Sequence, residues 1–237
     1  MKKLITFIFL FFTVIGYGQR SNVKLVTKVS YGIYADLFSN HGVIVNSAIL
    51  GIGVNFENKI GECNTYLTYS HLHHYTSILY SGHFLGISIE QSFLESQKRF
   101  RPLIGITVLS EISSNYKEGF LQGSTFITRG THAKYPKSNG NSSSYMFNSS
   151  GFYYNTILFA TFSTGFNLRI VKDLYLNFSL GYGLQIMRYK YLEWKDDEDY
   201  QEILKDIPMN KQMLHYLNTQ LGLSYNFPLK SSKKSKE

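Results

Sequence analysis

The chain reads as an all-β protein: an eight-stranded antiparallel up-and-down transmembrane β-barrel, with short turns at one rim and two long loops at the other. Three observations predict it. Eight stretches alternate bulky apolar residues with small or polar ones at a period of two, which is the signature of strands with two unlike faces. The glycines inside those stretches (Gly32, Gly51, Gly53, Gly86, Gly105, Gly165, Gly181, Gly183 and Gly222) all fall on the polar side. The links between stretches alternate between short and long, as they do in barrels that cross an outer membrane.

The first residues predict export. Met1, Lys2 and Lys3 precede an apolar run from Leu4 to Ile15, and Gly16 and Gly18 supply the small residues a signal peptidase reads. The run is too short to span a bilayer as a helix. The expected organisation is a signal over residues 1–18, a barrel over 19–229 and a basic periplasmic tail over 230–237. Gln19 rather than cysteine follows the cut, so no lipid anchor is indicated.

The strands follow in order. The first, near Val23 to Asp36, sets Leu25, Val29, Tyr31 and Ile33 against Lys24, Lys28, Ser30, Gly32 and Asp36. The second, Val43 to Phe56, opposes Ala48, Leu50, Ile52 and Val54 to Ser47, Gly51, Gly53 and Asn55. The third, Glu62 to His74, is the least regular, with Leu67 and Tyr69 against Asn64, Thr68 and Ser70. The fourth, His83 to Phe93, opposes Leu85, Ile87 and Ile89 to Gly86, Ser88 and Glu90. In the fifth, Pro102, Ile104, Ile106, Val108 and Ile112 face away from Gly105, Thr107 and Glu111. The sixth, about Asn155 to Ile170, sets Leu158, Ala160, Phe162, Phe166 and Leu168 against Thr161, Ser163, Gly165, Asn167 and Arg169. The seventh, Leu174 to Ile186, alternates without a break, and the eighth, Gln212 to Phe227, opposes Leu217, Leu221, Leu223 and Tyr225 to Asn218, Gln220, Gly222 and Ser224.

The interior of an eight-stranded barrel is narrow. Gly, Ser, Asn and Thr fit it, whereas several dozen Leu, Ile, Val and Phe do not, so the bulky face is expected outward, against lipid. About ten residues rising ~3.3 Å each at a tilt of ~45° cover roughly 25 Å, the height of an outer-membrane apolar band. Composition agrees: only 17% of residues are charged while 16% are aromatic, which suits a surface that meets lipid. A soluble lipocalin-like barrel, the competing fold, would turn the apolar face inward.

The links Glu57–Gly61, Glu95–Phe100 and Val171–Asp173 are short, whereas 113–153 and 190–211 are long. Short turns and both termini are expected in the periplasm, and the long loops outside the cell.

The segment Gly16-Tyr17-Gly18-Gln19, the eight strands and the closing run Gly222-Leu-Ser-Tyr-Asn-Phe227 resemble the small outer-membrane β-barrel proteins common in Bacteroidota, similar in architecture to OmpA/OmpX-type barrels. The resemblance implies a porin-like fold, an outer-membrane address in a Gram-negative cell envelope and, through Phe227, recognition by the barrel-assembly machinery. It extends at a distance to PorT-like proteins, which serve secretion. The glycine-rich opening strand of that group is replaced here by Asn22-Val-Lys-Leu-Val-Thr-Lys28.

Chemistry is sparse. A polar plug of the lumen is expected from Lys24, Lys28, Glu90, Arg169, Gln185 and Gln220, with Lys28 or Arg169 against Glu90, because a charge in a narrow interior needs a partner. His71, His73 and His83 share one face with His73 opposite His83; they read as polar rings at a membrane boundary rather than a metal site, with zinc or copper binding by converging imidazoles as the alternative. His41, His132, Ser110 and Glu111 are the residue types of a lipid-modifying hydrolase or acyltransferase (lipid A acylase/deacylase-like), but no motif joins them. Cys63 is alone, which excludes an internal disulfide.

Residues 113–153 carry Lys117, Arg129, Lys134 and Lys137, while 190–211 carry Glu193, Asp196, Asp197, Glu198, Asp199, Glu202 and Asp206, so the two loops are expected to pair. The acidic run lacks the spacing of a calcium loop. The net charge of +8 is largely Lys2 and Lys3 plus the tail lysines, leaving no basic stripe for nucleic acid. The expectation is a non-enzymatic barrel without a cofactor, structural, adhesive or accessory to another envelope complex. Its partners would be outer-membrane lipids and a protein or glycan met through the loops. The alternatives are the lipid-modifying enzyme and a narrow channel.

Overall fold

The computed structural model describes residues 23–37, 44–74, 81–94, 98–114, 116–117, 120–121, 147–195 and 200–227. The expected signal, residues 1–18, and tail, residues 230–237, lie outside them. Numbered along the chain, the strands are β1 (Lys24–Asp36), β2 (Ile44–Glu57), β3 (Gly61–His74), β4 (Ser81–Phe93), β5 (Phe100–Ser114), β6 (Tyr116–Lys117), β7 (Phe120–Leu121), β8 (Phe147–Val171), β9 (Leu174–Lys195) and β10 (Asn210–Phe227). One helix, α1 (Tyr200–Asp206), stands between β9 and β10.

Among the described residues β6 and β7 pair with each other, and the other eight strands close into one antiparallel barrel. The closing seam joins β1 to β10, from Leu25 opposite Phe227 to Asp36 opposite Tyr216. Closure leaves no edge strand in the barrel wall, which is what allows a sheet to stand in hydrocarbon, where no water satisfies a free N–H or C=O.

The two faces follow the sequence alternation. Ile52 is 62% exposed and Leu221 55%, while the residues between them in the pleat, such as Ser47, Asn55, Asn218 and Ser224, are buried in the lumen. On β9, Leu180 and Tyr182 face outward and Asn177, Ser179 and Gln185 face in. The lipocalin alternative requires the opposite. A continuous apolar band round a closed wall is the surface that bilayer hydrocarbon demands.

Glycine sets the wall's closest approaches. A Cβ on Gly86 would lie 1.9 Å from the carbonyl oxygen of Val108, and one on Gly165 equally close to that of Phe178. No side chain fits there, so the coiled strands meet only because these residues are glycine.

The short rim is built from local hydrogen bonds. Asn58 Oδ1 accepts from the backbone N–H of Ile60 and of Gly61, each at 3.0 Å, which closes the β2–β3 turn. Asp173 turns the β8–β9 hairpin at φ 66°, a left-handed position that Asp tolerates better than most residues.

Two elements differ from expectation at the opposite rim. β8 and β9 have 25 and 22 residues and stay paired to Phe147 opposite Lys195, well past Ile186 where the alternation was read to stop. Above a bilayer both faces of a ribbon meet water, so hydropathy no longer alternates and the strand leaves no such trace in sequence. The loop expected at 190–211 likewise contains α1, with Glu202 in its first turn and Lys205 in its last, the charges that favour a helix dipole.

Candidate functional site

Ion pairs, amides and packed rings occupy the lumen, and its two halves differ in chemistry. Towards the short-turn rim it is polar. The Lys28 ammonium of β1 contacts the Glu90 carboxylate of β4 across the interior. Below them Arg101 of β5 contacts Glu62 of β3, both side chains only 1% exposed, and the Arg101 guanidinium lies 4.4 Å from the centre of the Tyr175 ring.

Asparagines complete this layer. Asn55 donates to Asn64 at 2.6 Å, Asn177 donates to Asn167 at 2.5 Å, and Asn167 donates to Ser92 at 2.8 Å. Short hydroxyl chains follow higher up: Thr68 to Ser88 at 2.8 Å, Ser88 to Thr107 at 2.9 Å, and Ser47 to Ser70 at 2.6 Å. Each such bond relieves the cost of a polar group held away from bulk water.

Towards the long-loop rim the same lumen becomes apolar. Tyr34, Val45, Leu72, Phe84, Leu109, Phe159, Met187 and Tyr216 form one buried cluster. The Tyr34 and Phe159 rings meet edge to face with centroids 5.1 Å apart. Two glutamines sit at its floor and satisfy its phenols. Tyr216 donates to Gln185 Oε1 at 2.8 Å, Gln185 donates in turn to Thr156 Oγ1 at 2.6 Å, and Gln220 donates to the Tyr34 hydroxyl at 3.3 Å.

These large inward residues correct the expectation that only small side chains occupy the interior. Glycine on a neighbouring strand makes room for one further large inward residue: a Cβ on Gly51 of β2 would stand 3.1 Å from the ring of Tyr66 on β3.

The six residues expected in the plug are placed as follows. Lys28 and Glu90 meet in the polar half. Gln185 and Gln220 support the apolar half. Lys24 stands at the short rim, 4.0 Å from Asp173. Arg169 is half-buried beside a register shift at the same rim and makes no ion pair among the described residues. Glu62 and Arg101 were overlooked, although parity places both inward: Glu62 alternates with Leu67, and Arg101 neighbours the outward Pro102. The Asp36 side chain lies outside the described residues.

On the outward face near the long-loop rim, His71 rather than His73 stands opposite His83, and His73 stands opposite Ser81. The His71 and His83 rings stack with centroids 4.9 Å apart. One nitrogen of each is engaged elsewhere: the Tyr69 hydroxyl lies 2.6 Å from His83 Nδ1, and Ser81 Oγ lies 2.6 Å from His71 Nε2. Among the described residues, no three His, Cys, Asp or Glu side chains converge as a metal site.

Ser110 and Glu111 are adjacent on one strand and therefore point to opposite faces. Ser110 Oγ donates to the carbonyl of Ile157 at 2.9 Å, and Glu111 accepts from the N–H of Thr156 at 2.9 Å. His41 and His132 lie outside the described residues, as do Arg129, Lys134, Lys137 and the acidic run Asp196–Asp199.

No protein-family model matches the chain, and no curated protein does. Among solved structures it is similar to neisserial surface protein A (NspA), at 10% identity and TM-score 0.45, over 87% of this chain and 98% of that one. It is also similar to the outer membrane protein OprG from Pseudomonas aeruginosa, at 9% identity and TM-score 0.45, over 88% and 97%. A third similarity is to the outer membrane enzyme PagL, at 12% identity and TM-score 0.32, over 85% and 99%. The barrel assignment itself rests on the closed strand order and the outward apolar face.

Proposed function

We propose that this chain is a non-enzymatic outer-membrane barrel, reached by export through the periplasm, with a structural, adhesive or envelope-accessory binding role exerted at its long-loop rim. The observation that carries this reading is the set of buried ion pairs and packed rings that cross the lumen. Ion pairs and amides line one half and an apolar cluster the other, which favours a sealed barrel body over a channel. What remains for recognition is the surface beyond the membrane: the β8–β9 ribbon, α1 and the loops at 113–153 and 190–211. Loops and ribbons on a rigid scaffold are where binding residues commonly stand.

The separation of Ser110 from Glu111 by the strand pleat weighs against a lipid-modifying enzyme built on that pair. Lipid A from cells with and without the protein tests the enzyme reading. Identical acyl composition is the expected outcome, and a species that appears or vanishes with the protein contradicts the proposal. In planar bilayers the purified barrel is expected to leave the membrane at its background conductance; steady unitary currents would favour the channel instead.

A further inference from the structure

We infer that the cross-strand row Asn155–Arg188–Lys211 is a binding site for the phosphate of a membrane-lipid headgroup. Asn155 of β8 stands opposite Arg188 of β9, and Arg188 stands opposite Lys211 of β10. Ile186 and Met213 also stand opposite each other, one pleat lower on the outward face, so Arg188 and Lys211 share that face. Two cations directly opposed on neighbouring strands repel, and the arrangement is relieved when an anion lies between them. Among the described residues no carboxylate lies within ion-pairing distance of either, the nearby helix residues Glu202 and Asp206 included.

Height supplies the second argument. From Leu174 at the short rim to Ile186 the outward positions of β9 climb roughly 28 Å, at about 3.3 Å per residue and a tilt near 45°. Arg188 therefore follows where hydrocarbon gives way to headgroups. Directly under the cations lies the apolar pair Ile186 and Met213, with Leu184 opposite His215 one pleat lower, an apolar strip suited to an acyl chain next to the cations. A guanidinium offers parallel N–H donors to two phosphate oxygens, an ammonium reaches a third, and the Asn155 amide adds a neutral donor. Free phosphate would use the cations and leave the strip beneath them unused, so the ligand is a lipid.

This inference rests on the membrane-barrel reading, and the experiment separates the two. The protein is inserted into nanodiscs of phosphatidylcholine with a minor fraction of phosphatidic acid, then released and weighed with its retained lipid by native mass spectrometry. The wild-type protein should retain phosphatidic acid several-fold above its share of the bilayer. Arg188→Gln/Lys211→Gln should abolish the enrichment. Lys59→Gln/Lys98→Gln, which removes the same charge from exposed positions at the short rim, should preserve it. Arg188→Lys/Lys211→Arg should also preserve it. If the double glutamine variant fails to fold, Lys211→Gln alone must lower the enrichment. An unenriched wild type, or equal loss in both glutamine pairs, overturns the inference while leaving the barrel intact; failure to enter the nanodisc at all overturns the membrane reading instead.

Discussion

Arg101 and Glu62 meet in a place where neither has bulk water to return to. Removing one partner leaves the other charge buried and unpaired, at a cost of about 3–5 kcal/mol, whereas removing both is far milder. Arg101→Met should therefore destabilise the barrel by about that amount, and Arg101→Met/Glu62→Met by much less. Urea unfolding in lipid vesicles measures both, and additive losses would contradict the pairing. At this scale the sequence was only partly legible. Parity assigned Lys28 and Glu90 to one interior, where they touch. The same parity covered Glu62 and Arg101, but each begins a strand beside a turn, and charges there read as rim residues. The inward Tyr34, Phe84, Phe159 and Met187 were missed for a different reason. A bulky residue on the polar face looks like an exception to the pattern, and only the closed barrel reveals that several such residues, from different strands, pack against one another.

β5 and β8 show how two strands part without leaving backbone groups bare. Their ladder runs from Phe100 opposite Leu168 to Leu109 opposite Phe159. Beyond it, β8 carries register shifts against β9 around Tyr153–Asn155 and Thr156–Leu158. Side chains of β5 take over the pairing there: Ser110 serves the Ile157 carbonyl and Glu111 the Thr156 N–H. Glu111→Ala should thus speed amide exchange at Thr156 while leaving Thr161, deep in the β5–β8 ladder opposite Thr107, protected. Hydrogen exchange resolved by residue reads this directly, and unchanged protection at Thr156 would show that the carboxylate does not hold the seam. Strand existence and facing were legible along all eight barrel strands, because lipid on one side and a crowded lumen on the other impose a period of two. Strand ends were not legible for β8 and β9, which run on to Phe147 and Lys195 where the sequence no longer alternates.

The whole molecule is a wall turned inside out relative to a soluble protein. Its apolar surface is the exterior, and its interior is polar at one end and apolar at the other. That inversion suits the barrel wall to a bilayer. It is also what the sequence announced most clearly, since the repeated opposition of Leu, Ile and Phe to Gly, Ser and Asn admits few other arrangements. Chemistry was less legible, because loops carry no periodic constraint from which a partner can be read. The central claim is that Ile52, Leu67, Leu180 and Leu221 touch acyl chains. Tryptophan placed singly at each, in a background where Trp194 is replaced by Phe, reports its surroundings when the barrel is reconstituted in lipids brominated along their chains. All four should be strongly quenched, whereas emission unaffected by bromine at these positions would mean that the apolar face does not meet the membrane.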